Sequence, residues 1–157
     1  MKFQYEPGEY YVQCAETKHF LALQGKYLRL DNTQKMIPTF SGLVKLVPNG
    51  SGSTALYSSL NDMRIEENFF GELVTISQEN KETGKVLERF ELFQAAGNEK
   101  GQLIIRGIQT KMFVRVSESL RLRVDVEDPL GAAKFILKER YFFDDYCFVF
   151  IRYESTK

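Results

Sequence analysis

GQLIIRGIQTKMFVRV occupies residues 101–116 and GEYYVQCAETKHFLAL occupies residues 8–23, a shift of 93 positions. Gly8/Gly101, Thr17/Thr110, Lys18/Lys111 and Phe20/Phe113 coincide under that shift. The doubling resolves into a shorter period, because Val44-x-Leu46, Phe90-x-Leu92 and Phe135-x-Leu137 recur at spacings of 46 and 45 residues. The chain is therefore written in three units. A unit of this length cannot bury its own apolar face, and like units pool their faces into one core.

Within each unit the period is two. In LRLRVDVED, Leu120, Leu122, Val124 and Val126 alternate with Arg121, Arg123, Asp125 and Glu127, the pattern of a half-buried strand. KYLRL (26–30), MRIE (63–66), ELVTI (72–76) and FVRV (113–116) read the same way. Turn-rich PNGSGS (48–53), QENKETG (78–84) and AGNEKG (96–101) punctuate them. The middle unit, STALYSSLNDMRIEENFFGELVTI, is the most divergent and still alternates strand and turn.

About four strands per unit gives about twelve in all. Propellers are built from four or more blades, so three units point elsewhere. The expected fold is all-β, a β-trefoil of three pseudo-equivalent four-stranded lobes: a six-stranded barrel closed at one end by three hairpins. The lobes are placed at about 8–48, 52–95 and 101–153 of a single domain spanning 1–157. Another closed or sandwiched all-β domain is the alternative. The tail YCFVFIRY (146–153) exceeds the twelve strands and is read as pairing with the N-terminal strand at the barrel seam.

Composition narrows the class. A chain of 157 residues buries about 68–70% of its unfolded surface and supports its own core. Lys and Arg number 21, as do Asp and Glu, so there is no bulk attraction to nucleic acid or an anionic membrane. Residues 1–51 and 101–157 are each slightly basic and 52–100 acidic, which gives a mixed surface. With only Cys14 and Cys147, a disulfide-dense scaffold and a multi-Cys zinc site are excluded. The two are read as free thiols, with a bridge between them left open. The N-terminus has no signal-peptide core and no run of 18 apolar residues exists. The expectation is a cytoplasmic protein or one secreted without a leader, and no membrane insertion. The Asn49-Gly50-Ser51 sequon would matter only on a secretory route.

Catalytic chemistry has little to stand on. His19 is the sole histidine and falls in a strand pattern opposite Met112 of the third unit. Acidic groups such as DVED (125–128) and FFDDY (142–146) read as solvated turns, NGSGS lacks the Lys-Ser/Thr of a phosphate loop, and no metal-ligand spacing occurs. No catalytic residue, metal or cofactor is assigned. The sequence favours a non-enzymatic binding module.

At FILKERYFFDDY, the run Phe135-x-Leu137-x-Glu139 followed by Tyr146 resembles the fibroblast growth factor signature, a Cys-x-Phe-x-Glu run with Tyr after a further six residues. Gly101, Ile104 or Ile105, Gly107, Ile108 and Phe113 resemble that family's Gly-x-Val-x-Ile-x-Gly-Val stretch and the strand after it. ERFELF to MFVRV is similar to the interleukin-1 group. The likeness covers residues 101–146. It departs at Phe135 where the family has Cys, at Leu120 where Gly is usual, and at Asp144-Asp145 where Asn is common. The sequence also ends eleven residues past Tyr146, where the family's basic heparin-binding lobe would follow.

The resemblance implies a growth-factor- or cytokine-like ligand. Glu139 and Tyr146 would then mark a receptor-facing surface, and Arg121, Arg123, Lys134, Lys138 and Arg140 would be candidate anion contacts. The implied partner is a protein, a receptor or a cytoskeletal element. Heparin retention is expected to be weak at most, because the basic residues are interleaved with acidic ones. The competing reading is an intracellular adaptor or fascin-like actin binder, with Phe and Tyr on the lobe loops meeting the partner. Ricin-type lectins carry Gln-x-Trp in each lobe, and a chain with no Trp does not fit that form.

Overall fold

Three turns explain why the sequence repeats itself. Lys18, Asp62 and Lys111 adopt left-handed backbone angles, φ +68°, +54° and +58°, each in the turn after the first strand of a unit. The N–H of Cys14, Ser58 and Gly107 donates to the carbonyl of His19, Met63 and Met112 at 2.8, 2.7 and 2.9 Å. In the same turns Thr17 Oγ1, Asn61 Oδ1 and Thr110 Oγ1 accept from the N–H two residues on, at 3.3, 3.2 and 3.3 Å. Short oxygen-bearing side chains close such turns locally. The Thr-Lys identity between units is thus a backbone requirement.

The computed structural model describes residues 1–32, 37–77, 89–95 and 101–140. Among these the strands are β1 (Gly8–Cys14), β2 (Leu21–Gln24), β3 (Tyr27–Leu30), β4 (Leu43–Pro48), β5 (Thr54–Ser58), β6 (Arg64–Glu67), β7 (Leu73–Ile76), β8 (Phe90–Gln94), β9 (Gln102–Gly107), β10 (Phe113–Val116), β11 (Leu122–Val126) and β12 (Phe135–Glu139). Antiparallel pairing runs β1–β4–β5–β8–β9–β12 and returns to β1, closing a six-stranded barrel. The hairpins β2–β3, β6–β7 and β10–β11 cap one end. They meet one another through the pairs Tyr27 with Val74, Arg29 with Arg121 and Glu72 with Arg123. This is the expected β-trefoil of three four-stranded lobes.

The recurring apolar pairs converge as the period requires. Phe90 and Phe135 are 0% exposed and Val44 is 4% exposed, all in one cluster with Leu46 and Leu92, against which Leu137 packs. The barrel centre holds only a void of about 30 Å³, lined by Leu and other aliphatic side chains. A space lined only by aliphatic groups offers a water no hydrogen-bond partners and stays dry.

Two expectations change. Leu120 is not a strand residue but the turn residue of the third hairpin at φ +69°, where Gly25 and Gly71 stand in the other two; its half-buried side chain still packs against the core that holds Leu122 and Val124. Closure of the barrel needs no strand from the tail, since β4 and β12 occupy both edges of β1. The tail, including Tyr146 and Cys147, lies outside the described residues, as do QENKETG and, apart from Gly101, AGNEKG. Cys14 is a buried free thiol within the core.

Ion pairs brace the capping hairpins, Arg121–Glu72 between the second and third and Arg115–Asp125 within the third. Burial alone would raise the Glu72 carboxyl, but hydrogen bonds from Arg121 (3.1 Å) and Asn68 and the charges of Arg121 and Arg123 hold it below its ordinary value. Asp125 is lowered chiefly by its bond from Arg115 (2.6 Å), opposed by burial and assisted by Arg123.

Gly42 packs so tightly that an added Cβ would lie 1.7 Å from the Leu21 carbonyl oxygen. Gly42→Ala should therefore cost about 1–3 kcal/mol, lowering Tm by roughly 3–10 °C in a thermal melt. Because Glu72 and Asp125 have lowered values in the folded chain, their stabilisation is complete above the ordinary 4.5 and 3.8 and is lost as pH falls through the folded values. Denaturant melts should show stability falling below about pH 4.5, with a shallower fall in Glu72→Gln.

Candidate functional site

The connection between β6 and β7 is Asn68-Phe69-Phe70-Gly71-Glu72. Asn68 Oδ1 accepts from the N–H of Phe70 and of Glu72, both at 2.9 Å. Its backbone N–H donates to Glu72 O at 2.8 Å and its carbonyl accepts from Gly71 N–H at 3.1 Å. Gly71 holds φ +79°, a left-handed angle that glycine adopts without strain. The third hairpin braces the turn from the side: Arg123 Nη2 donates to Phe70 O at 2.7 Å, and Val124 N–H donates to Gly71 O at 2.7 Å.

With every arm of the turn fixed, the two phenylalanines stand outward. Phe69 is 98% exposed and Phe70 70%, their rings edge to face at 5.8 Å and 89°. Burying each ring on a partner would yield about 1.5–3 kcal/mol. A backbone already held in place loses little freedom on binding, which is the condition for a small aromatic contact to dominate an interface.

Several of the charges around this tip are engaged by neighbouring groups. Arg121 bonds Glu72 and lies 3.8 Å over the Tyr27 ring, and Lys26, of the same hairpin as Tyr27, stands 5.6 Å from the centre of that ring. Asp125 takes Arg115 at 2.6 Å and Arg123 at 3.3 Å. The most exposed apolar feature beside these charges is the phenylalanine pair.

The sequence-derived candidates fall in two places. Arg121 and Arg123 lie in the cap, beside the phenylalanines. Lys134, Lys138, Glu139 and Arg140 follow the barrel wall along β12. There Lys138 stands opposite Tyr11 and Glu139 opposite Tyr10 in register, the Lys134 carbonyl accepts from Ala15 N–H at 2.8 Å, and Arg140 bonds Glu9 at 3.0 Å over the Phe40 ring. Tyr146 lies outside the described residues. His19 ends the β1–β2 turn, in no cluster of ionisable groups. Among the described residues, no three His, Cys, Asp or Glu side chains are placed to hold a metal ion, and no helix is long and apolar enough to cross a membrane.

The phenylalanine tip was not among the sequence-derived candidates. Its signal was two adjacent large apolar residues beside a glycine in a stretch of alternating strands. Consecutive residues of a pleated chain point to opposite faces, so two phenylalanines in succession cannot both reach one core.

No protein-family model and no curated protein sequence matches the chain. Solved structures do. The designed 3-fold symmetric protein ThreeFoil superposes with a TM-score of 0.66 at 10% identity, over 85% of this chain and 99% of its own. SeviL, solved bound to asialo-GM1 saccharide, superposes with a TM-score of 0.63 at 13% identity, over 86% of this chain and 100% of its own. At such identities the likeness carries the fold alone. By its strand pairing and by these superpositions, the chain is a β-trefoil.

Proposed function

We propose that this trefoil is a non-enzymatic protein-binding module of the growth-factor or cytokine-like kind, which engages its partner through the Phe69–Phe70 tip. One observation carries the reading: two adjacent phenylalanines held in solvent by a turn whose hydrogen bonds leave them nowhere to fold back. The complementary surface is an apolar pocket. A polyanion is disfavoured at the cap, because Arg121 and Arg123 each already face a carboxylate. The barrel-wall residues Lys138, Glu139 and Arg140 form the second part of the contact surface in this reading.

The same aromatic tip favours a second setting, an intracellular adaptor or actin binder that presents a lobe hairpin to a filament. A saccharide ligand such as the one SeviL holds has less support at the cap, where no residue presents the broad indole face on which ricin-type lectins rely.

The test is a paired affinity purification with the wild-type chain and the double variant Phe69→Ser/Phe70→Ser. Because both rings are exposed, the variant should melt at the wild-type temperature. A protein retained by the wild type should bind the variant about a hundredfold more weakly or worse. Identical retention by both chains refutes the tip as the contact. Co-sedimentation with actin filaments separates the two settings, and elution from heparin at or below physiological salt is expected in either.

A further inference from the structure

The barrel is least symmetric at the end opposite the hairpins. In the first lobe the ladder between β1 and β4 continues from Tyr10–Val44 through Glu9–Lys45 to Gly8–Leu46. The matching ladder of the second lobe stops at Thr54–Phe90 toward that end. The freed edge of β8 is taken instead by the first residues of the chain. Phe3 N–H donates to Leu92 O and Gln94 N–H donates to Met1 O, both at 2.9 Å. Between this added segment and the β4–β5 turn the wall parts, leaving a cavity of about 270 Å³.

The lining has a definite chemistry. Phe3, Tyr5 and Pro48 supply flat apolar faces, while Gln4, Asn49 and Ser53 supply side chains that both donate and accept. Thr54 also lines it, its hydroxyl shared with that of Tyr5, and both Ser53 and Thr54 are buried. Lys2 is the sole charged lining residue, and its ammonium is committed to Glu91 at 2.6 Å and to the Gly52 carbonyl at 3.3 Å. A site that mixes apolar faces with two-way hydrogen bonding, and whose one charge is already paired, suits a neutral ligand rich in hydroxyls. Its volume falls just below the roughly 300–1,000 Å³ of sites for drug-sized ligands, which suits a single ring.

We infer that this cleft binds one neutral sugar ring, taken either as a free monosaccharide or as the terminal residue of a glycan. The site is separate from the phenylalanine tip and stands whether or not that tip meets a protein.

Amide NMR titration with neutral methyl glycosides, uncharged and N-acetylated, tests it. Saturable shifts are expected at residues 3–5 and 49–54 for at least one glycoside, with Kd of about 1–10 mM. Gln4→Ala and Tyr5→Phe should each weaken that binding about five- to tenfold, and Phe69→Ser should leave it unchanged. An oligosaccharide ending in the same sugar distinguishes the sources: tighter binding than the methyl glycoside identifies a glycan end, equal binding the free sugar, and either supports the site. The inference is overturned by a lack of saturable shifts with every neutral sugar. Shifts seen only with sulfate or glucuronate, or an affinity indifferent to both cleft variants, overturn it equally.

Discussion

The structure depends on one shared burial. No lobe has enough strands to enclose Val44, Phe90 or Phe135 alone, and each becomes dry only when the three meet inside a closed ring of six strands. Closure removes the open edges that would otherwise recruit other chains. It also fixes the register of every strand, since a slip of one residue would turn the apolar rows outward. The turns at Lys18, Asp62 and Lys111 serve that register by returning the chain at the same height in each lobe.

From this core the two ends of the barrel diverge. At the capped end, hairpins that must touch side by side bring arginines against carboxylates, so charge is spent on cohesion and the tip of one hairpin is left free to be apolar. At the other end no hairpins meet, and the lobes are free to differ. The early stop of the β5–β8 ladder is tolerated because the N-terminal segment satisfies the exposed β8 groups, as buried backbone polar groups demand.

Much of the architecture was legible because it follows from periodicity. Alternation marked the strands, and the recurrence of three apolar pairs marked the lobes that share them. The alternation places Leu120 correctly toward the core but wrongly in a strand, since its side chain packs there while its backbone sits at φ +69° in a turn; composition carries no record of φ except where glycine stands. Phe69 and Phe70 were hidden for the opposite reason, as phenylalanine in a β-rich chain reads as core until the turn around it is known to be rigid. Arg121 and Arg123 were found, but the pairing of Arg121 with Glu72 is a contact between lobes that sequence spacing does not reveal, whereas Arg123 meets Asp125 two residues along the same strand.

The three hairpin tips share a scaffold and differ in chemistry: Gly25-Lys26, Phe69-Phe70 and Glu118-Ser119. A trefoil with the same tip three times would present three identical grips and could cross-link its targets, gaining avidity from each added contact. With its aromatic pair on one tip only, the cap carries a single apolar contact point of fixed polarity. In the proposed role the chain would occupy a target one to one, and clustering would have to come from the target.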